Sequence, residues 1–419
     1  MRYIFGAFSL MWAVTVTATP MTTAEKPLTL GTAIALVLEN NPQLQAADFD
    51  AKAAAARIRQ QSQKTPWQLG ITFDNFAGSG ESSGIDGLEA VITLGRVLEL
   101  GDKHSLRGEV AQHNAGILRH EQNAQRLDLL AETATRYITA ARVEAERELA
   151  KQQLTLMQST LNAVEQRYKA GKAGEAERSR AQISLAKAEL ALEETSHRLA
   201  NSHRQLAILW GEFIPAFNTI SADLMRLQQE PGFASLDKAL ERNPAIASLA
   251  TMERLADARI RLAEARSSPD LDIFAGPHAY NDTGDVGLFL HLKMPLGTGN
   301  RAQPFEDEAS ALAKKEPLLA KNKRLALRVT LFALHQELLH DRDRFLALRD
   351  RIIPAAEKAL KAYTRGYNMG RYSLVELTQA QETLLQARIE AIDAAADHHQ
   401  NRYQIDRLIG TDLTTGAQQ

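Results

Sequence analysis

The feature that most constrains this chain is that it says the same thing twice. "ALVLENNPQLQAADFDAKAAAARI" begins at Ala35, and "KALERNPAIASLATMERLADARI" begins at Lys238. Asn41-Pro42 matches Asn243-Pro244, and Arg57-Ile58 matches Arg259-Ile260, each pair 202 positions apart. Further along, "YKAGKAGEAERSRAQ" from Tyr168 and "YNMGRYSLVELTQAQ" from Tyr367 align 199 apart, with Gly171 on Gly370, Ala181 on Ala380 and Gln182 on Gln381. Two blocks at nearly one offset point to a tandem duplication of about 200 residues. The expected organisation is a first repeat over 25–212, a linker over 213–234, a second repeat over 235–410 and a tail over 411–419.

Each repeat runs in the same order. A helix comes first, near 29–63 and 235–267, with the Asn-Pro pair marking a turn between a short helix and a longer one. β-Branched and aromatic residues with partial alternation then predict strands at 67–76 and 87–100, and at 270–280 and 286–296. The turn-rich "AGSGESSGID" and "NDTGD" between them make each pair a β-hairpin. Strands of about 10 residues suit a tilted barrel strand crossing a membrane.

A long helical run follows each hairpin, over 103–169 and 302–368. Each would reach roughly 100 Å if continuous. Pro304, Pro317 and Pro354 are placed to start, interrupt or kink the second run, and the first has no proline. Return helices are expected at 175–210 and 373–409. Apolar residues recur every seven positions at Leu185, Leu192, Leu199 and Leu206, and again at Leu325, Phe332, Leu339, Leu346, Ile353, Leu360 and Tyr367. Strict sevens imply coiled-coil packing with left-handed supercoiling.

Residues 1–24 read as a secretory signal peptide: Arg2, an apolar run from Tyr3 to Val16, and cleavage after Ala18 or Ala24. No later run is apolar and long enough for a transmembrane helix, so a membrane-embedded mature chain would have to be a barrel. Four strands cannot close one. Three chains would supply twelve, within the range of barrel sizes.

The order, duplication and spacing resemble the TolC-type outer-membrane efflux family, most of all its heavy-metal, CzcC-like branch. The carrying stretches are "LTLGTAIALVLENNPQLQAA", "SGIDGLEAVITLGRVLELGDKHSLRGEVAQ", "RYKAGKAGEAERSRAQISLAKAEL" and "RGYNMGRYSLVELTQAQETLLQAR". The resemblance implies a mainly helical homotrimer: a twelve-stranded β-barrel in outer-membrane lipid, continuing into a periplasmic α-helical barrel. It implies an exit duct for heavy-metal cations, fed by a periplasmic adaptor and an inner-membrane RND-type pump, with 213–234 in an equatorial region. Where the branch has "LELGGKR", this chain has "LELGDKH", so Asp102 and His104 depart from it.

The resemblance also implies roles at the periplasmic tip. Gly171 and Gly370 lie where antiparallel helices turn, a place that favours a left-handed glycine. Glu376 occupies the position of a constriction-ring acid, and Gln379 stands where the family has a second acid. Tyr367 is placed to bond Glu177 and latch hairpins closed, with Arg178, Arg365 and Arg371 near enough in sequence to join. Adaptor docking is expected at Tyr168, Gly171, Ala173, Gly370, Arg371 and Ser373. The second copy of the turn is the better candidate for the gate-forming hairpin.

Composition excludes other classes. Net charge is -2, which offers no electrostatic footprint for nucleic acid. With no cysteine there is no disulfide or thiolate ligand. The histidines form no HExxH, and His335 and His340 lie on different sides of a helix. No phosphate loop or GxSxG elbow occurs, so an enzyme with a catalytic, cofactor or metal site is not expected. The rival reading is a soluble periplasmic coiled-coil or adaptor-like protein. It accounts for the helices but poorly for two full-length β-hairpins.

Overall fold

A computed structural model describes residues 27–411. The expected signal peptide and most of the 411–419 tail lie outside the described residues. Helix α1 spans Leu30–Asn40 and α2 spans Pro42–Gln61. In the second half, α5 spans Phe233–Ala239 and α6 spans Pro244–Ala265. The Asn-Pro pairs explain these breaks. Asn41 caps α2 by accepting from the Gln43 and Leu44 amides, and Asn243 caps α6 by accepting from Ala245. The proline follows at the first helical position, where its missing N–H removes nothing. The other end of each buried amide donates to the close of a return helix, Asn41 to Leu209 O at 2.6 Å and Asn243 to Leu408 O at 2.8 Å.

Strands β1 (Gln68–Asp74), β2 (Glu89–Glu99), β3 (Asp270–Tyr280) and β4 (Val286–Lys293) form one antiparallel sheet in the order β1-β2-β3-β4. Both expected hairpins are present, and β2 pairs with β3 to fuse them. Alternation sorts the residues onto two faces. One face carries exposed Leu69, Ile71, Phe73, Ile92, Leu94, Val286, Leu288, Leu290 and Leu292. Arg96 lies over the Trp67 ring, 5.1 Å from its centroid, at the end of the sheet where the chain enters from α2. The opposite face is polar, small or aromatic: Gly70, Thr72, Thr93, Gly276, His278 and His291 occupy the alternate register positions. There His278 meets Glu89 at 2.8 Å and stacks on Tyr280.

Gly101 and Asp102 take left-handed backbone angles in succession, φ 75° and 52°, and turn the chain from β2 into α3. Aspartate is among the few side chains that tolerate this region, so the departure at "LELGDKH" is accommodated. Helix α3 then runs unbroken through Lys103–Lys169, and α4 (Glu175–Ala207) returns along it. Helix α7 spans Thr298–Ala347, α8 spans Ile353–Asn368 and α9 spans Leu374–Leu408.

The second long run differs from expectation in an informative way. Pro304 and Pro317 lie inside α7 without ending it. The interruption is a π-turn at Leu348–Ile352, placed directly before Pro354. Proline cannot donate to the carbonyl four residues back and collides with it, and a wider turn relieves both problems. The extra residue shifts the heptad seam. Before the turn the buried series is Leu331, Leu338 and Phe345, one residue off the expected Phe332, Leu339 and Leu346. Beyond the turn the expected positions return, with Leu360 packed at the tip and Tyr367 buried. Leu325 and Phe332 are about half exposed, 53% and 51%.

The linker is a strap laid across the middle of the helices. Leu28 bridges it in parallel at Ile220, through Leu28 N to Thr219 O and Ser221 N to Leu28 O, both 2.9 Å. The Tyr137 hydroxyl donates to Ser221 O at 2.6 Å, and Glu144 accepts from Ile220 N at 3.0 Å. Three histidines hold its second half: His399 donates to Leu224 O, His335 to Pro231 O, and His398 lies 3.5 Å from Glu230. Arg342 also reaches Glu230, at 3.1 Å. Phe217 and Leu224 are buried and join Leu206, Trp210, Phe345 and the alanines of α9 in the main core.

Burial, reinforced by neighbouring His399, lowers the His398 pKa to about 4 despite Glu230. An unfolded histidine takes up its proton near 6.5. Between those values the unfolded state holds more protons, so this group's stabilising effect is complete above about pH 6.5 and lost as pH falls toward 4. His398→Gln is expected to flatten that part of the pH dependence, which thermal unfolding of both proteins from pH 7 to 4 will measure.

Candidate gate at the helical tip

The two tip turns are built alike. After α3, Gly171 takes φ 68°, and Lys172 N closes onto Arg167 O at 2.8 Å. After α8, Gly370 takes φ 73°, and Arg371 N closes onto Gly366 O at 2.8 Å. Both are Schellman-type endings, in which a left-handed residue lets the next amide satisfy a terminal carbonyl. The two closures are 199 residues apart at every position.

The next residues separate them. Ser373 caps α9, its hydroxyl accepting from Glu376 N at 3.3 Å while the Glu376 carboxylate accepts from Ser373 N at 2.8 Å. This is a reciprocal capping box. The bonds from Ser373, backbone first, hold the Glu376 carboxyl below its ordinary range. The first copy has Gly174 at the cap, with no side chain to offer. Glu177, the counterpart of Glu376, is therefore not drawn into a box, and its carboxylate accepts a 3.3 Å bond from the Tyr367 hydroxyl.

Tyr367 is only 2% exposed and packs with Leu161, Val164, Ala181, Leu374 and Leu377. Burial first, and Glu177 second, push its pKa upward, so it stays a neutral donor at physiological pH. The Tyr367–Glu177 pair expected from sequence is thus brought together, tying α8 to α4 within one chain. The expected arginines are not its partners. Arg178 pairs with Glu175 at 3.7 Å and covers the Tyr168 ring, and Arg365 donates back to Lys361 O. The arginine that joins is Arg167, whose guanidinium lies 4.7 Å from the Tyr367 ring centroid and donates to Tyr367 O at 2.8 Å. Sequence spacing missed it because α3 and α8 meet across 200 residues.

Glu376 and Gln379 line a separate groove with Tyr363, Ala356 and Thr383. Both are exposed, as are Tyr168, Gly171, Gly370, Arg371 and Ser373, while Ala173 is half-buried. Deeper in the tip, Gln381 donates to Thr160 at 3.0 Å and ties α9 to α3. Among the described residues, no group of three or more His, Cys, Asp or Glu side chains is arranged to hold a metal ion. No described helix is long and apolar enough to cross a membrane.

The sheet presents one exposed apolar face and is carried on helices of unusual length. The chain belongs to the outer membrane efflux protein family, whose pattern matches residues 33–212 and 235–411. It is 26% identical to the cobalt-zinc-cadmium resistance protein CzcC of Cupriavidus metallidurans, over 92% of this chain and 91% of the relative. It is 22% identical to the outer membrane protein TolC of Escherichia coli, over 89% of this chain and 80% of that one. The same fold occurs in the solved outer membrane protein VceC of Vibrio cholerae, with TM-score 0.77, 18% identity and 91% and 96% of the two chains covered. It also occurs in CusC, with TM-score 0.78, 17% identity and 93% of each chain covered. Family members are transport ducts, not enzymes, and the protein is an outer-membrane one with its helices in the periplasm. The reading as a soluble periplasmic coiled-coil protein is set aside on that ground.

Removing the Ser373 hydroxyl dismantles the box on α9, whereas Gly174 makes no side-chain cap on α4. Ser373→Ala is expected to destabilise the tip by about 1 kcal/mol and Gly174→Ala by somewhat less, because glycine has no capping side chain to lose but suits the cap position better than alanine. Hydrogen-exchange protection of the first turns of α9 and α4 checks both.

Proposed function

We propose that three copies of this chain close one twelve-stranded barrel in outer-membrane lipid and continue it as a helical tunnel across the periplasm. The tunnel passively conducts cargo that an inner-membrane RND-type pump delivers through a periplasmic adaptor. The observation that carries this reading is the sheet. Its outer face is apolar and exposed, and its two end strands, β1 and β4, each have one edge without a partner strand among the described residues. Unpaired backbone edges are not tolerated in hydrocarbon, so neighbouring copies must supply the missing strands.

Heavy-metal cations are the proposed cargo. Support comes from likeness to CzcC over nine-tenths of both chains and to the nickel-cobalt-cadmium resistance protein NccC of Alcaligenes xylosoxydans, 25% identical over 64% of this chain. The duct itself needs no metal-binding cluster, because its pump makes the selection. At the tip, Tyr367 with Glu177 forms a latch. Three copies of Glu376 form a carboxylate ring that favours cations, with the neutral Gln379 three residues on leaving it less charged than two acids would. The turn residues Tyr168, Gly171, Ala173, Gly370, Arg371 and Ser373, all exposed but the half-buried Ala173, receive the adaptor.

Deleting the gene is expected to sensitise cells to zinc, cobalt or cadmium more than to organic drugs, read as growth inhibition with and without a restored copy. Unchanged metal tolerance would sink the cargo assignment. For the latch, Tyr367→Phe combined with Glu177→Ala is expected to raise single-channel conductance in planar bilayers, and a wild-type conductance would count against it.

A further inference from the structure

Arg167 occupies the last turn of α3, and its counterpart 199 residues on is Gly366. A side chain at Gly366 would run into the Tyr372 ring, so only the first copy has space for an arginine here. Its guanidinium does three things at once. It lies under the buried Tyr367 ring, 4.7 Å from the centroid. One terminal nitrogen donates to Tyr367 O at 2.8 Å on α8, and the other donates to Lys172 O at 3.4 Å in the turn that follows α3 itself. Its Nε is buried without a hydrogen-bond partner, and among the described residues no carboxylate pairs with it. The charge is therefore committed to the aromatic face and to two carbonyls at helix ends, where a cation is favoured.

We propose that Arg167 is the positioning residue of the tip latch. It fixes the Tyr367 ring so that the hydroxyl points at Glu177, and it sews the end of α3 to the end of α8. The proposal rests on the reading of Tyr367 and Glu177 as a latch. The ring cannot swing away from Glu177 without leaving the guanidinium that lies over it, which the two backbone carbonyls hold in place. Lysine would keep the charge, but it lacks the planar fork that stacks and bridges simultaneously.

The test is single-channel recording of the full-length protein in planar bilayers. Arg167→Met is expected to raise the open-to-closed ratio roughly five-fold, the order of one hydrogen bond, and Tyr367→Phe to do the same. Together they should give no further rise, because both remove one coupled unit. Arg167→Lys, which keeps charge and stem and so guards against a failure to assemble, should also raise the ratio. Wild-type conductance in both Arg167 variants, with Tyr367→Phe opening the channel, overturns the role of Arg167 and leaves the latch standing. Additive effects of Arg167→Met and Tyr367→Phe overturn it too, because they mark independent structural damage. Silence in all the variants overturns the latch reading and this proposal with it.

Discussion

An antiparallel sheet of four strands has two edges of unpaired backbone groups, and hydrocarbon offers those groups no partner. The rest of the molecule follows from that constraint. The outer face of this sheet is apolar from Leu69 to Leu292, and in the proposed barrel it meets lipid while strands of other copies cover its edges. A barrel built of several chains needs each chain to return on the same side of the membrane. Both hairpins do so, entering from α2 and α6 and leaving into α3 and α7. The long helices are then held in register with the sheet through the left-handed pair Gly101-Asp102 and through Gly297 before α7.

The middle of the chain is where two similar halves become one body. The 212–232 strap carries few apolar residues into the core, but those it carries, Phe217 and Leu224, are buried. Its carbonyls are met by His335, His399 and Tyr137, and its Glu230 by Arg342 and His398. Directly below the strap the two long runs part company. α3 passes straight through, whereas α7 yields to α8 at the π-turn. The hairpin that carries Tyr367 is therefore joined to the body by the less regular of the two long runs.

The tip shows how small a change separates two copies of one turn. Gly171 and Gly370 impose the same chain reversal through the same hydrogen bonds. A serine at 373 draws Glu376 onto its own helix, while a glycine at 174 leaves Glu177 able to reach another helix. One cap residue thus assigns the two acids to different work. Arg167 against Gly366 is a second such difference, since a side chain at 366 would meet the Tyr372 ring.

The sequence by itself determined the order of elements, the sheet's alternation, the Asn-Pro caps, the glycine turns and the pairing of Tyr367 with Glu177. These are local patterns, except the last, which a family resemblance supplied. It misread the seam of α7, because a heptad count assumes every turn holds the same number of residues and the π-turn before Pro354 adds one. It named Arg178, Arg365 and Arg371 as latch partners because they lie nearby in the chain, whereas Arg167 arrives from a helix 200 residues away. It marked 213–234 only as a linker, since nothing in its composition announces carbonyls that two distant histidines and a tyrosine will meet. Periodicity and turn chemistry are written within a few residues, but the choice among several possible partners depends on which helices the fold brings side by side, and only the tertiary structure decided that.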